Sequence, residues 1–408
     1  MNILLMGEYS GVHSNLAKGL RAIGHTVTVA SNGDFWKDYP RDIDLKRSLS
    51  PAGALRFAAT LAHTLPKLRD YDVVQLINPM FLELKAGRIF NIYDYLRRHN
   101  RHIVLCAFGM DYYWVHTCVK DMPLRYSDFN IGDELRTNDD ATNARAGWTG
   151  TDKERLNKYI AQDCDAIVAG LYEYYVCYKK AFPKKTTFIP YPIRMTAEEN
   201  AEVNAAIKQE QRKLACSLPN GSGLDEVSAA SSAAPKAEAR DATTTLPGST
   251  GKIRIFIGIN VTRDEYKGTD IMLRAARDVA KEYPERVELI EARSVPYDEY
   301  SRMMGSADVL LDQLYSYTPA MNALLAMSKG IVCVGGGEPE NYEILGEKEL
   351  RPIINVLPTY ESVRGEIERL VTRPERLPEL KRQSIEYIRR HHDYIKVARQ
   401  YEELYKSF

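Results

Sequence analysis

The chain has 408 residues, with 55 Lys and Arg against 55 Asp and Glu, so its formal net charge is zero. That length exceeds one ordinary hydrophobic core, so two domains are expected, and the charge balance excludes a protein built for bulk nucleic-acid binding: a basic site here must be local. Six cysteines (Cys106, Cys118, Cys164, Cys177, Cys216 and Cys333) are scattered with no C-x-x-C pair and no nearby histidine set, as expected of reduced thiols in a cytoplasmic protein and not of a zinc site.

The opening run, MNILLMGEYSG, is of strand length and carries no cationic leader, so neither a signal peptide nor a membrane span is expected. Residues 3–6 form an apolar strand, followed by the loop GEYSGVH and a helix with Leu16, Leu20 and Ile23 on one face. Gly24 stops that helix, and residues 26–30 give a second strand. Strands at 72–77 and 103–108 follow helical stretches around 54–69 and 82–98, and DAIVAG near 165 gives another. Strands alternating with helices predict a parallel, doubly wound sheet. FIPYPI at 188–193 reads as the exit from this first domain, residues 1–195.

Residues 196–250 begin with a polar, helix-like piece. They then become rich in Ala, Ser, Thr and Gly with almost no large apolar side chain. Such a composition cannot offset its ordering entropy, and the segment is expected to be a disordered linker or insertion. From Lys252 the alternation restarts: strand 253–259, helix 269–281, strand 287–292, helix 297–305, strand 307–311, helix 320–328 and strand 331–334. This predicts a second βαβ domain over 251–408, ending in a helical stretch from Leu377 whose Val397, Tyr401, Leu404 and Tyr405 make a packing stripe. The expected fold class is therefore α/β, two Rossmann-like domains facing across a cleft.

The candidate functional residues sit where strands hand over to helices. In IGINVTRDEYKG a strand ends in a loop carrying Arg263 and Lys267, then Gly268 and Thr269 open a helix. Two cations ahead of a helix N-terminus suit a diphosphate, because unpaired N–H groups and the helix dipole already favour negative charge there. The loop 7–14 brings Gly11, which permits close backbone approach, and His13 to the same edge of the first sheet. Asp111, in FGMDYYW, could act as a base or accept a sugar hydroxyl, and it would equally serve as a helix N-cap. In the second domain Asp312, Gln313, Tyr317 and Asn322, with the turn Gly336-Gly337-Glu338 after strand 331–334, can meet ribose, sugar or phosphate oxygens. The plainer alternative for the loop of Arg263 and Lys267 and for the other second-domain residues is a solvated loop, and for His13 it is a capping or packing role.

Outside 196–250 the chain resembles the GT-B-fold glycosyltransferases, most closely the retaining, nucleotide-sugar-dependent family 4 type. SGVHSNLAKGLRAIGHTVTV resembles that family's Gly-rich loop and helix ending in GHxVxV. Arg263 and Lys267-Gly268 resemble its donor-diphosphate motif, and ADVLLDQ (307–313) and AMSKG (326–330) resemble two further segments. The family usually places two glutamates eight positions apart before the last of these, and here the positions hold Tyr317 and Leu325. The second glutamate holds the donor ribose, so Leu325 puts that contact in doubt, with Asn322, Gln313 or Asp312 as substitutes.

The resemblance implies a glycosyltransferase moving a sugar from a nucleotide-diphosphate donor, bound mainly on the second domain, to a glycan or lipid-linked acceptor on the first. Such activity belongs to polysaccharide biosynthesis. His13 and Asp111 are the expected catalytic residues. Retention is implied by the resemblance alone, and neither metal nor resident cofactor is expected. The alternatives are a sugar-nucleotide epimerase of the same fold and a non-catalytic nucleotide-binding partner of a glycan-assembly complex. The basic runs RRHNRH (97–102) and KRQSIEYIRR (381–390) are candidates for peripheral contact with anionic lipid, although such runs are usually solvated faces.

Overall fold

A computed structural model describes residues 1–48, 50–196, 251–259 and 264–408, with positions 198, 199, 201, 203–205 and 207–209 between them. The expected low-complexity segment and Cys216 thus fall almost wholly outside the described residues, and so does Arg263.

The first sheet is built from β1 (Asn2–Met6), β2 (Thr26–Ser31), β3 (Ile43–Asp44), β4 (Val73–Leu76), β5 (His102–Ala107), and, after a two-stranded hairpin of β6 (Asn130–Ile131) and β7 (Glu134–Leu135), β8 (Ala166–Ala169) and β9 (Thr186–Phe188). The spatial order is β3-β2-β1-β4-β5-β8-β9, and every pairing is parallel. Ile3, Leu4, Leu5 and Met6 are all fully buried. An unbroken apolar strand is what a sheet covered by helices on both faces demands.

The second sheet orders β11 (Val287–Arg293), β10 (Ile253–Ile259), β12 (Val309–Leu311), β13 (Val332–Gly335) and β14 (Ile354–Asn355), again all parallel. Strand order reverses beside β1 in the first sheet and beside β10 in the second. Both reversals are the switch points where open α/β sheets leave a crevice at their carboxyl edges.

The C-terminal helical stretch is not continuous. The helix Leu377–Tyr387 passes through a wide turn at Ile388–His392, and Asp393 then caps a last helix, Tyr394–Lys406, by accepting from the Ile395 and Lys396 N–H groups. At the turn the chain returns to the first domain: the Ile193 N–H donates to the His392 carbonyl, and the buried His392 ring donates from Nδ1 to the Tyr191 carbonyl. The last helix then lies on the first helix, Val12–Ala22. Gly19 makes this possible, since a Cβ there would come within 2.3 Å of the Tyr394 carbonyl and 2.8 Å of Ala398 Cβ. The stripe of Val397, Tyr401 and Tyr405 is buried against the first sheet's core.

No helix among the described residues is long and apolar enough to cross a membrane. Several cations of the two basic runs already have partners within the chain: Arg97 meets Asp165 at 2.7 Å, Lys381 meets Asp308 at 2.7 Å, and Arg390 meets Glu349 at 2.9 Å.

Candidate active site between the two sheets

A cavity of about 1120 Å³ opens between the carboxyl edges of the two sheets. From the second domain it is lined by Gly258 and Ile259 at the end of β10, by Lys267, by residues 294–297, Tyr300 and Ser301 after β11, by Leu311 and Asp312 at the end of β12, and by Met321, Asn322 and Leu325 on the helix Met321–Ser328. The first domain contributes Ser10, Asn15, residues 34–37 and Tyr39 of the loop after β2, and Ile193 and Arg194. The cavity thus lies at the switch point of the second sheet.

Its polar floor is a short relay. The Tyr300 hydroxyl donates to Asn322 Oδ1 at 3.0 Å, and Asn322 Nδ2 donates to Asp312 Oδ1 at 2.9 Å. Gly258 leaves room for this, because a Cβ there would sit 2.5 Å from the Tyr300 ring. Burial pushes the Asp312 carboxyl above the usual carboxylate range, while the charge of Lys267 and the Asn322 hydrogen bond pull it back down. Lys267 ends a single helical turn, Asp264–Lys267, and Gly268 follows at φ 72°, the left-handed region open to glycine. The Lys267 carbonyl accepts from the Leu314 N–H at 2.9 Å, so this turn is tied to the loop after β12.

The other expected residues lie away from the cavity lining. His13 is fully buried. Its Nδ1 donates to the Gly7 carbonyl at 2.8 Å and its Nε2 accepts from Gln75 Nε2 at 3.1 Å, while Gln75 Oε1 accepts from the Tyr405 hydroxyl at 2.6 Å. Burial lowers its pKa to about 4, so the ring is neutral and both nitrogens are engaged. Asp111 is also fully buried. It caps the helix Tyr112–Lys120 by accepting from the Trp114 N–H and accepts from the Tyr178 hydroxyl, and burial raises its pKa to about 7.

Gly11 does precede a helix N-terminus, but that end is already occupied by a carboxyl group of the chain itself, one whose pKa burial raises to about 7. Glu8 accepts from the His13 N–H at 3.3 Å and the Ser14 N–H at 2.8 Å. Gln313 lies just past Asp312 and does not reach the lining.

Tyr317, Gly336, Gly337 and Glu338 belong to a second place, a polar interlock between the domains. Arg125 donates to Glu340 at 2.6 Å and to Glu338 at 2.7 Å, its backbone N–H donates to the Tyr317 hydroxyl at 2.6 Å, and its guanidinium lies over the Tyr317 ring. Glu338 also accepts from the Tyr126 hydroxyl and from Asn355 Nδ2. Glu173 accepts from Ser316 Oγ at 2.6 Å and Thr318 Oγ1 at 2.7 Å. Arg136 stacks on Tyr315 with its guanidinium carbon 3.5 Å from the ring centroid. Gly336 is needed at this contact, since a Cβ would come within 2.2 Å of the Ser316 carbonyl.

The two positions that depart from the family's glutamates therefore part company: Leu325 lines the cavity and Tyr317 lies in the interlock. Sequence analysis did not single out Trp36, Tyr39, Tyr297 and Tyr300. Their signal was there in SNGDFWKDYP and SVPYDEY, aromatic residues in turn-rich loops directly after strands.

No protein-family model matches the chain, and no curated protein matches it. Solved structures similar to it over the whole chain include the following three. Anabaena HepE in complex with UDP and glucose shares 12% identity at a TM-score of 0.55, covering 100% of both chains. Sucrose-phosphate synthase from Thermosynechococcus elongatus shares 12% at 0.55, covering 100% of this chain and 99% of its own. UDP-GlcNAc 2-epimerase from Neisseria meningitidis bound to UDP-GlcNAc shares 11% at 0.51, covering 100% of both. At such identities the likeness is one of architecture: this chain has the GT-B fold, two Rossmann-like domains facing across a cleft.

Proposed function

We propose that the protein is a glycosyltransferase of the family 4 type it resembles, moving a sugar from a nucleotide-diphosphate donor to a glycan or lipid-linked acceptor. The observation that carries this is the position of Lys267: on the lining of a large interdomain cavity, at the switch point of the second sheet, one glycine ahead of the helix Thr269–Glu282. A nucleoside diphosphate is the anion such a place accommodates. The ligands of similar structures, UDP with glucose and UDP-glucose, support the same class.

In this proposal Lys267, with Arg263 assigned on the resemblance, stabilises the charge that develops as the diphosphate leaves, which is why no metal is required. Asp312, Asn322 and Tyr300 accept and donate hydrogen bonds to sugar or ribose hydroxyls in place of the glutamate absent at Leu325. Retention is taken from the resemblance alone. Given retention, and with no nucleophilic carboxylate assigned among the described residues, the acceptor attacks on the face the nucleotide leaves and the departing phosphate takes the proton. His13 and Asp111 enter as framework residues that fix the loops beside the cleft, a change from the catalytic part expected of them.

An epimerase needs an acid and a base on the lining. Among the described residues the lining carboxylates are Asp34, paired with Lys37 at 2.7 Å, and Asp312, and no histidine lines the cavity. Incubating the protein with a panel of nucleotide sugars, with and without oligosaccharide acceptors, separates the readings. Free nucleoside diphosphate that increases with acceptor supports transfer, an altered donor sugar with no release supports epimerisation, and tight binding without either supports a non-catalytic partner.

A further inference from the structure

The loop after β2 carries an unusual combination of strain, polar anchoring and exposed aromatic surface. Asp34, Phe35 and Asp38 all have positive φ, at 58°, 58° and 48°, in addition to Gly33 at 75°. For a bulky residue such as Phe35 this conformation is a genuine outlier, and each such residue holds strain whose compensation the surroundings must supply.

The supply is visible. Asp34 accepts from the Ser10 N–H at 2.8 Å and from Lys37 Nζ at 2.7 Å, Lys37 also donates to Ser10 Oγ at 2.9 Å, and the Tyr39 N–H donates to the Gly33 carbonyl at 2.9 Å. These bonds leave Phe35 and Trp36 54% and 60% exposed, on the cavity lining. Across the cleft stands Tyr297, whose ring centroid is 5.7 Å from that of Trp36, edge to face, and whose hydroxyl is 3.4 Å from that of Tyr39.

From this geometry, and resting on the transferase reading, we propose that Trp36, with Phe35 and Tyr297, forms the stacking platform for a sugar ring of the acceptor, so that the acceptor is a saccharide. One face of a pyranose presents C–H groups of slight positive polarity, which match the negative face of an indole ring. Its hydroxyls need donors and acceptors, and Ser10, Asn15 and Asp34 supply them on the same lining, while Lys37 Nζ stands over the Trp36 ring 5.9 Å from its centroid. The platform projects from the first domain, opposite Lys267 and Asp312. A membrane contact is the weaker alternative, because both rings line a concave cavity beside a neutralised Asp34–Lys37 pair.

The test uses full-length protein labelled with 5-fluorotryptophan. Its three tryptophans are Trp36 and the buried Trp114 and Trp148, and Trp36→Phe assigns the exposed fluorine resonance. Cellotetraose, chitotetraose and maltotetraose are titrated in turn in the presence of UDP, and phosphatidylglycerol vesicles serve as the membrane probe. The expected result is a saturable shift of the Trp36 resonance alone by at least one oligosaccharide, with affinity about tenfold weaker in Trp36→Ala and several-fold weaker in Phe35→Ala. No shift with any of the three, or a shift produced only by vesicles, overturns the platform. Calorimetric binding of UDP in the same samples keeps the two failures distinct: UDP bound with Trp36 silent sinks the platform alone, whereas absence of both sinks the transferase reading as well.

Discussion

Replacing Glu173 tests whether the interlock holds the cavity in shape. Its carboxylate is 4% exposed and accepts from Ser316 Oγ at 2.6 Å and Thr318 Oγ1 at 2.7 Å, and the loop bearing those residues donates its Leu314 N–H to the Lys267 carbonyl. A path of three contacts thus runs from the first domain to the expected diphosphate site. Hydrogen bonds to a charged group contribute about 1.5–3 kcal/mol each, but Glu173→Ala also relieves the burial of a carboxylate that already pushes its pKa up. After truncation the single Ser316 proton, whose oxygen lies 2.6 Å from both Glu173 and the Thr318 carbonyl, goes to the carbonyl, leaving the Thr318 hydroxyl as the group without a partner. An unsatisfied buried hydroxyl costs about 1–3 kcal/mol, so the net loss for Glu173→Ala should be about 2–3 kcal/mol. Glu173→Gln should lose less than about 1 kcal/mol, because one hydroxyl still donates to the amide oxygen and Ser316 can accept from the amide nitrogen. Urea unfolding with unchanged slope reads the stabilities, and UDP titration should weaken several-fold in the alanine variant only. Equal losses in the two variants, or an alanine variant within about 0.5 kcal/mol of wild type, would refute the reasoning.

Three further outcomes follow from buried groups elsewhere. Burial lowers His13 to about 4, below the unfolded value of 6.5, so the unfolded chain binds more protons between those pH values. The stability that wild type holds over His13→Gln should therefore be full above pH 6.5 and fall by roughly 3 kcal/mol as pH drops to 4, by urea unfolding of both proteins across that range; a pH-independent difference would place the ring's neutrality in doubt. Lys381 and Asp308 are 6% and 5% exposed and 2.7 Å apart, so Lys381→Met should cost about 3–5 kcal/mol by leaving a buried carboxylate without its cation, and adding Asp308→Asn should recover part of the loss. Gly19→Ala should cost about 1–3 kcal/mol through overpacking, read as a lowered unfolding midpoint, because the new Cβ displaces the last helix from the first.

Unbroken apolar runs between stretches of period 3.6 made the two sheets legible, since strands covered on both faces, such as 3–6 and 332–334, are apolar throughout. The same patterning gave the last helix its stripe but not its break. Asp393 caps the new start, and what turns the chain there is the contact of residues 191–193 with His392 and Tyr394, some two hundred positions away. Strand ends pointed to Lys267, Asp312 and Asn322, which share one cavity. They pointed equally to Glu338 and Tyr317, whose partners Arg125 and Tyr126 lie on a loop of the other domain that no local pattern marks. His13 and Asp111 carry the residue types of catalysis, and only burial and fully used hydrogen bonds distinguish them from reacting groups. Trp36 went unremarked because its importance comes from exposure, which residue identity does not encode.

The account stands on Lys267 meeting a diphosphate. Calorimetric titration of UDP and of uridine into wild type and Lys267→Ala, each repeated with chelator, tests this most directly. The account predicts that the variant binds UDP at least tenfold more weakly, equivalent to about 1.4 kcal/mol or more, that uridine binding is nearly unchanged, and that chelator alters neither. Equal weakening of both ligands, or no weakening of UDP, would contradict it.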